Sequence, residues 1–271
     1  MKYKLLKPND LNNKDIIIGY FDVIHLGHMH ILENKKACIL TFINVPSKLN
    51  PINNDDTRIK NIKNLGFKQI YVFDLSKQNM RAKTFIDKYL NSVKSITIGS
   101  DCKIGSDRQL ITSLIDDKKI NIIKYNHNYS TTLVKKWLHE GKVKEINKIL
   151  VIPLLFTYKV VKGDQLGKML GYPTINFNIQ NHLDLKPGVY LSLTSYKKEY
   201  YQSLTFWGIP KTLKTNKSKN VMETHIINFK KNIYHHKATV QLLQWIAPII
   251  KFKDKEELKQ AISRYIKIWN E

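Results

Sequence analysis

The sequence predicts an α/β chain in two parts: a parallel sheet with helices on both faces, then a small antiparallel β-barrel with a C-terminal helix. Three patterns carry this reading. Through the first 150 residues, apolar runs alternate with amphipathic stretches, as in a sheet built from strand–helix–strand units. Beyond residue 155 the apolar runs become short and are separated by turn residues, the pattern of a small barrel or sandwich. With 271 residues, the chain is long enough for two hydrophobic cores.

In order, strands are expected at 15–20, 37–43, 69–73, 95–98 and 120–124, and helices at 28–34, 57–65 and 81–90. Gly66 stands where a helix C-cap would. Two further helices, 132–139 and 143–150, are separated by Gly141, and Val151-Ile152-Pro153 then breaks the pattern. The expected domains are therefore 1–152 and 153–271. Barrel strands are expected at 189–195, 200–205, 221–228 and 238–245. The last helix has Asp254 as N-cap with Glu257 three residues on, a capping box. Its stripe of Leu258, Ala261, Ile262, Tyr265 and Trp269 reads as packing onto the barrel.

Composition narrows the function classes. The formal charge is +23, from 45 basic and 22 acidic residues, and the excess is spread as +12 over 1–150 and +11 over 151–271. There is no basic tail or stripe, and only Arg58, Arg81, Arg108 and Arg264 carry the guanidinium on which specific base reading leans. The lysines therefore support weak, screened adhesion to RNA rather than a specific nucleic-acid partner. Cys38 and Cys102 give neither a disulfide framework nor metal-ligand spacing, so reduced thiols in a cytoplasmic protein are expected. No stretch approaches the roughly eighteen apolar residues of a membrane span, and Met1-Lys2-Tyr3-Lys4 leads into no signal-peptide core.

Gly19-Tyr20-Phe21-Asp22-Val23-Ile24-His25-Leu26-Gly27-His28 follows the apolar run Ile16-Ile17-Ile18 directly. A strand running into a Gly-bearing turn and a helix aims backbone N–H groups and the helix dipole at an anion. Two imidazoles flanking Gly27 can donate hydrogen bonds to charge building on a phosphoryl group, so attack at the α-phosphate of ATP is the expected chemistry. Two surface histidines, or half of a metal site, are the plainer readings.

A second constellation is Gly163-Asp164-Gln165-Leu166-Gly167-Lys168-Met169-Leu170-Gly171-Tyr172-Pro173-Thr174-Ile175-Asn176. Its glycines suit a phosphate-wrapping loop, and strand alternation points Thr174 and Asn176 the same way. A hydroxyl beside an amide can hold Mg²⁺ and the terminal phosphates of ATP. A glycine-rich hairpin connection with a structural Asn is the alternative.

These motifs carry a resemblance. The segment 19–28 resembles the signature of the H-x-G-H nucleotidyltransferases, which implies a Rossmann-like domain with His25 and His28 as catalytic residues and Gly19, Phe21 and Gly27 at the nucleotide. Asn128-Tyr129-Ser130-Thr131-Thr132-Leu133-Val134-Lys135 is similar to their second signature, with Lys135 in place of arginine, and implies that Ser130, Thr131 and Lys135 hold the triphosphate. Gly99-Ser100-Asp101-Cys102-Lys103-Ile104-Gly105 resembles the family's flavin loop, which puts Asp101 at the flavin, with Cys102 and Ile104 replacing aromatic residues. The histidine flanked by prolines usual after the second strand is replaced by Asn44-Val45-Pro46-Ser47.

The segment 163–176 resembles the riboflavin kinase module, with Lys168 in place of arginine. That implies ATP-binding roles for Gly163, Gly167, Lys168, Gly171, Thr174 and Asn176. Val221-Met222-Glu223-Thr224-His225-Ile226-Ile227-Asn228-Phe229 resembles the segment carrying the family's catalytic glutamate, a role that falls to Glu223. Ala247 stands about where the family often has an arginine near the flavin. The order of the modules is that of the bacterial bifunctional riboflavin kinase/FAD synthetases, over about 15–268. The resemblance implies phosphorylation of riboflavin to FMN and adenylylation of FMN to FAD, with ATP as co-substrate and Mg²⁺. The alternatives are a kinase whose first domain has lost adenylylation and, in another class, an RNA-adhering protein on this scaffold.

Overall fold

The computed structural model describes residues 3–48, 50–115, 119–124, 128–179, 184–210 and 219–270, and it forms two compact units, 1–131 and 132–271. Among the described residues no helix is long and apolar enough to cross a membrane.

The first unit holds β1 (Lys4–Leu5), β2 (Asp15–Ile18), β3 (Cys38–Ile43), β4 (Ile70–Asp74) and β5 (Ser95–Gly99), then a short hairpin of β6 (Lys103–Ile104) and β7 (Gln109–Leu110), then β8 (Ile120–Ile123). Six of these make one parallel sheet in the order β1-β4-β3-β2-β5-β8. The central strands are continuous apolar runs because both their faces are covered. On one face Ile16, Leu40, Phe73 and Ile98 pack against Phe85, Tyr89 and Leu90, which lie on α2 (Ala82–Phe85) and the π-helical turn that continues it to Leu90. Ile17, Ile39 and Val72 alternate to the other face. There α1 (Asp55–Asn64) buries Ile59 and Ile62. Asn54 caps α1 by accepting Thr57 N–H at 2.9 Å, and Gly66, at φ +95°, ends it as expected.

The helix expected at 28–34 does not form. Leu26–His28 is a single 3-10 turn, closed by His28 N–H to His25 O at 2.9 Å and Met29 N–H to Leu26 O at 3.0 Å. Gly27 weakens helix propagation, and the Asn34 side chain accepts Lys36 N–H at 3.1 Å, turning the chain toward β3. The dipole argument for this segment therefore lapses.

In the second unit, α3 (Thr131–Glu140) and α4 (Val143–Ile149) precede the barrel; Asn147 Nδ2 donates to Leu242 O at 3.0 Å. The barrel comprises β9 (Leu155–Val161), β10 (Thr174–Phe177), β11 (Gly188–Tyr196), β12 (Glu199–Gly208), β13 (Val221–Ile226) and β14 (Lys237–Ala247), with the one-turn α5 (Leu166–Met169) between β9 and β10. Antiparallel pairing in the order β10-β13-β12-β11-β14-β9 closes through β9–β10 and leaves no free edge. The C-terminal helix, α6 (Lys255–Lys267), begins as expected, with Asp254 Oδ1 accepting Glu257 N–H at 2.8 Å.

A chain of hydroxyls crosses the barrel interior: Thr194 to Ser203 (2.8 Å), Ser203 to Ser192 (2.8 Å), Ser192 to Thr205 (2.7 Å) and Thr205 to Thr224 (2.9 Å). All five residues are fully buried, and mutual hydrogen bonding is what makes that tolerable. Thr205→Val keeps the shape and strands the Thr224 hydroxyl, so it should cost about 1–3 kcal/mol in a denaturant titration. Unchanged stability would show that the chain of hydroxyls contributes nothing.

Candidate active sites

From β2 the sheet grows outward through β3 and β4, after which the chain returns to place β5 on the other side of β2. The carboxyl end of β2 is thus the topological switch point, where open α/β sheets bind ligands. The turn carrying His25 and His28 leaves β2 there, and the loop carrying Asp101 leaves β5 beside it. Phe21 adopts φ +50°, unusual for a bulky residue, and folds its ring over Gly19 so closely that no Cβ would fit. The same ring meets His28 edge-on at 5.3 Å. Gly19 and Phe21, expected at the nucleotide, thus shape the turn.

His25 and His28 stack with ring centroids 3.8 Å apart. Burial pushes His25 down to about 4; burial together with His25 pushes His28 down to about 3, so both rings are neutral at pH 7. His25 N–H donates to His28 Nδ1 at 3.4 Å, which puts the proton of neutral His28 on Nε2. His25 Nδ1 is buried and has no hydrogen-bond partner among the described residues. A Cβ on Gly27 would stand 3.1 Å from both His25 Nδ1 and Tyr129, so the turn lies against the segment leading into Ser130. Ser130 immediately precedes α3 and Thr131 opens it; both are half-buried, as is Lys135 one turn on.

Asp101 is exposed, with Oδ1 close above Gly99. Ile104 is buried in the core beneath the sheet and Cys102 packs against that core, burial pushing its thiol up to about 11. The two positions where the resemblance has aromatic rings therefore contribute to core packing here. Asn44, at φ +52°, donates to Asp74 Oδ1 at 2.8 Å, which ties the end of β3 to β4.

In the barrel unit, β10 and β13 pair with Thr174 opposite His225 and Asn176 opposite Glu223. Residues directly opposite in an antiparallel pair share a face. Met222, Thr224 and Ile226 fill the interior, which leaves Glu223 and His225 half-buried on the outer face with Thr174 and Asn176. The loop 162–173 folds back onto this face: the Asn176 amide lies so close over Gly163 that any side chain there would collide. Gly167 approaches Thr174 and the carbonyl of Tyr172, while Gly171, at φ +84°, turns the chain toward β10. Lys168 is exposed on α5. His225 Nδ1–H donates to Pro173 O at 2.9 Å, and the ring meets Tyr172 edge-on at 5.4 Å; burial lowers its pKa.

A cavity of about 170 Å³ opens beside these residues, walled by Leu166, Tyr172, Phe206, Pro248, Leu258, Ile262 and Tyr265 with Thr174, Glu223 and His225 at its polar edge. The α6 stripe expected to serve packing therefore also lines this cavity through Leu258, Ile262 and Tyr265. Ala247 is buried at the end of β14. Among the described residues no group of three or more His, Cys, Asp or Glu side chains could hold a metal ion.

Two residues near the first site escaped the sequence reading. Asp22 is 5% exposed and accepts the N–H groups of Ile52 (3.0 Å) and Asn53 (2.9 Å). Arg58 is fully buried, with its Cζ 3.6 Å from the centre of the Tyr20 ring. One signal was present in the sequence: Arg58 is one of only four arginines among 45 basic residues.

Comparison with known proteins agrees with both halves. Residues 7–143 match the FAD synthetase family model and 150–271 the riboflavin kinase model. The trifunctional protein RibF/MnmA of Mycoplasmoides gallisepticum is 34% identical over 92% of this chain, which spans only 38% of that longer protein. The bifunctional riboflavin kinase/FMN adenylyltransferase of Buchnera aphidicola subsp. Schizaphis graminum is 29% identical, over 95% of this chain and 93% of the relative. The protein of the same description in Mycoplasma pneumoniae is 24% identical over 93% and 94%. A crystal structure titled as a macrolide-efflux protein from Streptococcus pneumoniae aligns with TM-score 0.83 at 24% identity, over 99% of this chain and 98% of that one, a likeness of fold alone. With the stacked imidazoles at the switch point in one unit and the Thr-x-Asn/Glu face in the other, the chain belongs to the bifunctional riboflavin kinase/FMN adenylyltransferase family.

Proposed function

We propose that the chain phosphorylates riboflavin to FMN in its second module, 153–271, and adenylylates FMN to FAD in its first, 1–152, using ATP in each reaction. The observation that carries the kinase half is the β10–β13 register, which sets a carboxylate, an amide and a hydroxyl on one face, the carboxylate and the hydroxyl at the edge of an apolar cavity. The flavin ring occupies that cavity, and Glu223 accepts the proton of the 5′-hydroxyl as its oxygen attacks the γ-phosphorus and ADP leaves. The loop with Gly163, Gly167, Lys168 and Gly171 closes over the phosphates. Thr174 Oγ1 and the Asn176 amide oxygen are hard oxygen donors, the type Mg²⁺ takes, and with so few protein ligands the ion would share its shell with phosphate oxygens. When bound, Mg²⁺ neutralises charge on the phosphates.

In the first module an FMN phosphate oxygen attacks the α-phosphorus of ATP and pyrophosphate leaves. Neutral imidazoles suit this: His28 donates through Nε2–H, and His25, with Nδ1 unbonded and buried, meets a second oxygen without bringing a full charge into the site. Ser130, Thr131 and Lys135 hold the departing pyrophosphate, and Asp101 contacts FMN. The free thiols of Cys38 and Cys102 suit work in the cytoplasm, and the dispersed lysines make RNA at most a nonspecific companion.

Three measurements test this reading. Glu223→Gln keeps the shape and removes the base, so kcat for FMN formation should fall roughly 10²–10⁴-fold; an unaffected rate would remove Glu223 from the chemistry. Wild type given FMN and ATP should release FAD and pyrophosphate, and His28→Ala should cut kcat by roughly 10²–10³. No FAD at any FMN concentration, with kinase activity intact, would mean that the first module has lost its reaction.

The third concerns pH. In the unfolded chain both histidines titrate near 6.5, while folding holds His25 near 4 and His28 near 3. Between those values and 6.5 the unfolded chain binds more protons, so the stability supplied by the pair is complete above 6.5 and is lost as pH falls through this window. His28→Asn deletes one of the two depressed imidazoles, so its melting temperature should drop less than that of wild type between pH 7 and pH 4.5. Parallel curves would show that the rings are not held neutral by burial.

A further inference from the structure

We infer that Arg58 is a positioning residue for His28: it locks the Tyr20-Phe21-Asp22 turn from beneath and so fixes the ring that donates to the phosphate. The inference rests on the proposed adenylyl transfer and adds a residue to it. Arg58 Nη1 and Nη2 both donate to Phe42 O, at 3.1 and 2.7 Å, and Nη2 reaches Thr41 Oγ1 at 3.4 Å. Thr41 Oγ1–H in turn donates to Tyr20 O at 3.3 Å, while the guanidinium plane stacks under the Tyr20 ring. The next residue, Phe21, is the one at φ +50°, and its ring abuts His28. Asp22 follows, with its carboxylate taken by the N–H groups of Ile52 and Asn53 and its carbonyl accepting Asn53 Nδ2–H at 2.7 Å. The two motif residues flanking the strained Phe21 are thus gripped by the segment 52–58.

A phenylalanine held at positive φ persists only where its surroundings over-determine it. If the grip loosens, Phe21 relaxes toward negative φ, and the edge contact that orients His28 goes with it. Guanidinium is the group this task requires, since a planar fork can bond a carbonyl twice while its face stacks on a ring, and an ammonium does neither. A chain that uses lysine for 41 of its 45 cations keeps arginine at this fully buried position.

The test uses the full chain, with riboflavin phosphorylation as the control for folding. Arg58→Lys keeps the charge and loses the fork and the stack. It should lower kcat for FAD formation roughly 10- to 100-fold, with a smaller change in KM for ATP, while FMN formation stays at the wild-type rate. Added to His28→Ala, it should cause little further loss, because the ring it positions is gone. Wild-type FAD turnover in Arg58→Lys, or the same fold-loss in both backgrounds, would overturn the inference. If Arg58→Lys does not fold, Asn53→Ala loosens the other side of the turn and carries the same expectations. If wild type itself makes no FAD, the adenylyl-transfer reading fails separately, and the ring resonances of His28 still decide this one: displaced by Arg58→Lys it stands, unmoved it falls.

Discussion

Closure of the barrel is the constraint on which the face carrying Thr174, Asn176, Glu223 and His225 depends. Because β9 and β10 pair as well as β10 and β13, the short strand Thr174–Phe177 is hydrogen-bonded on both sides and cannot slip. A shift of one residue would turn Thr174 and Asn176 to the interior and bring Ile175 to the face beside Glu223. The interior supplies a second lock. Thr224, between Glu223 and His225, bonds to Thr205 at 2.9 Å, so the outward direction of those two residues is tied to a bond within the core. Precision at the site comes from strands rather than from the loop that folds over it, while the loop retains the glycines that let it approach.

The first module meets the same need with less regular structure. His25 and His28 leave the sheet in a turn that never becomes a long helix, so no macrodipole arises within that turn. What replaces it is local: a phenylalanine at positive φ, two stacked rings kept neutral by burial, and a carboxylate that takes two N–H groups from the segment before α1. Neutral donors have a physical advantage here. Charged imidazoles would have to be desolvated, whereas neutral rings are buried at little cost.

How much of this was visible in the sequence depends on the range of the interaction concerned. Alternation along β13 separates Glu223 and His225 from Met222, Thr224 and Ile226 with no tertiary knowledge, because period two is a local property. The parallel sheet, its strand positions and the capping of α6 by Asp254 follow from equally local patterns. The helix expected at 28–34 was the local error, where Gly27 and Asn34 outweighed a weakly apolar run. Nonlocal facts stayed hidden: Phe21 covering Gly19, Asp22 reaching to residues 52 and 53, and the α6 stripe serving a cavity as well as a core. Cys102 and Ile104 make the same point. In sequence they register only as replacements of aromatic residues, while the structure shows Ile104 within the core beneath the sheet and Cys102 packed against it.

The chain's cation usage fits this division between local and nonlocal. Exposed lysines such as Lys168 sit in high dielectric, where either cation serves and composition is free to drift toward lysine. A fully buried cation is another matter, since it gives up its water and must recover that loss in directed bonds. Arg58 recovers it from a carbonyl bonded twice, a hydroxyl, a tyrosine face and Asp55 at 3.5 Å. Even so, its Nε has no partner among the described residues, and burial lowers its pKa. An apolar side chain of similar volume would avoid that desolvation altogether. The charge is kept where it is costly because only a planar, multiply bonded group can stack beneath Tyr20 while bonding to β3. Stability alone gives no reason to retain it there; the geometry of the turn it holds does.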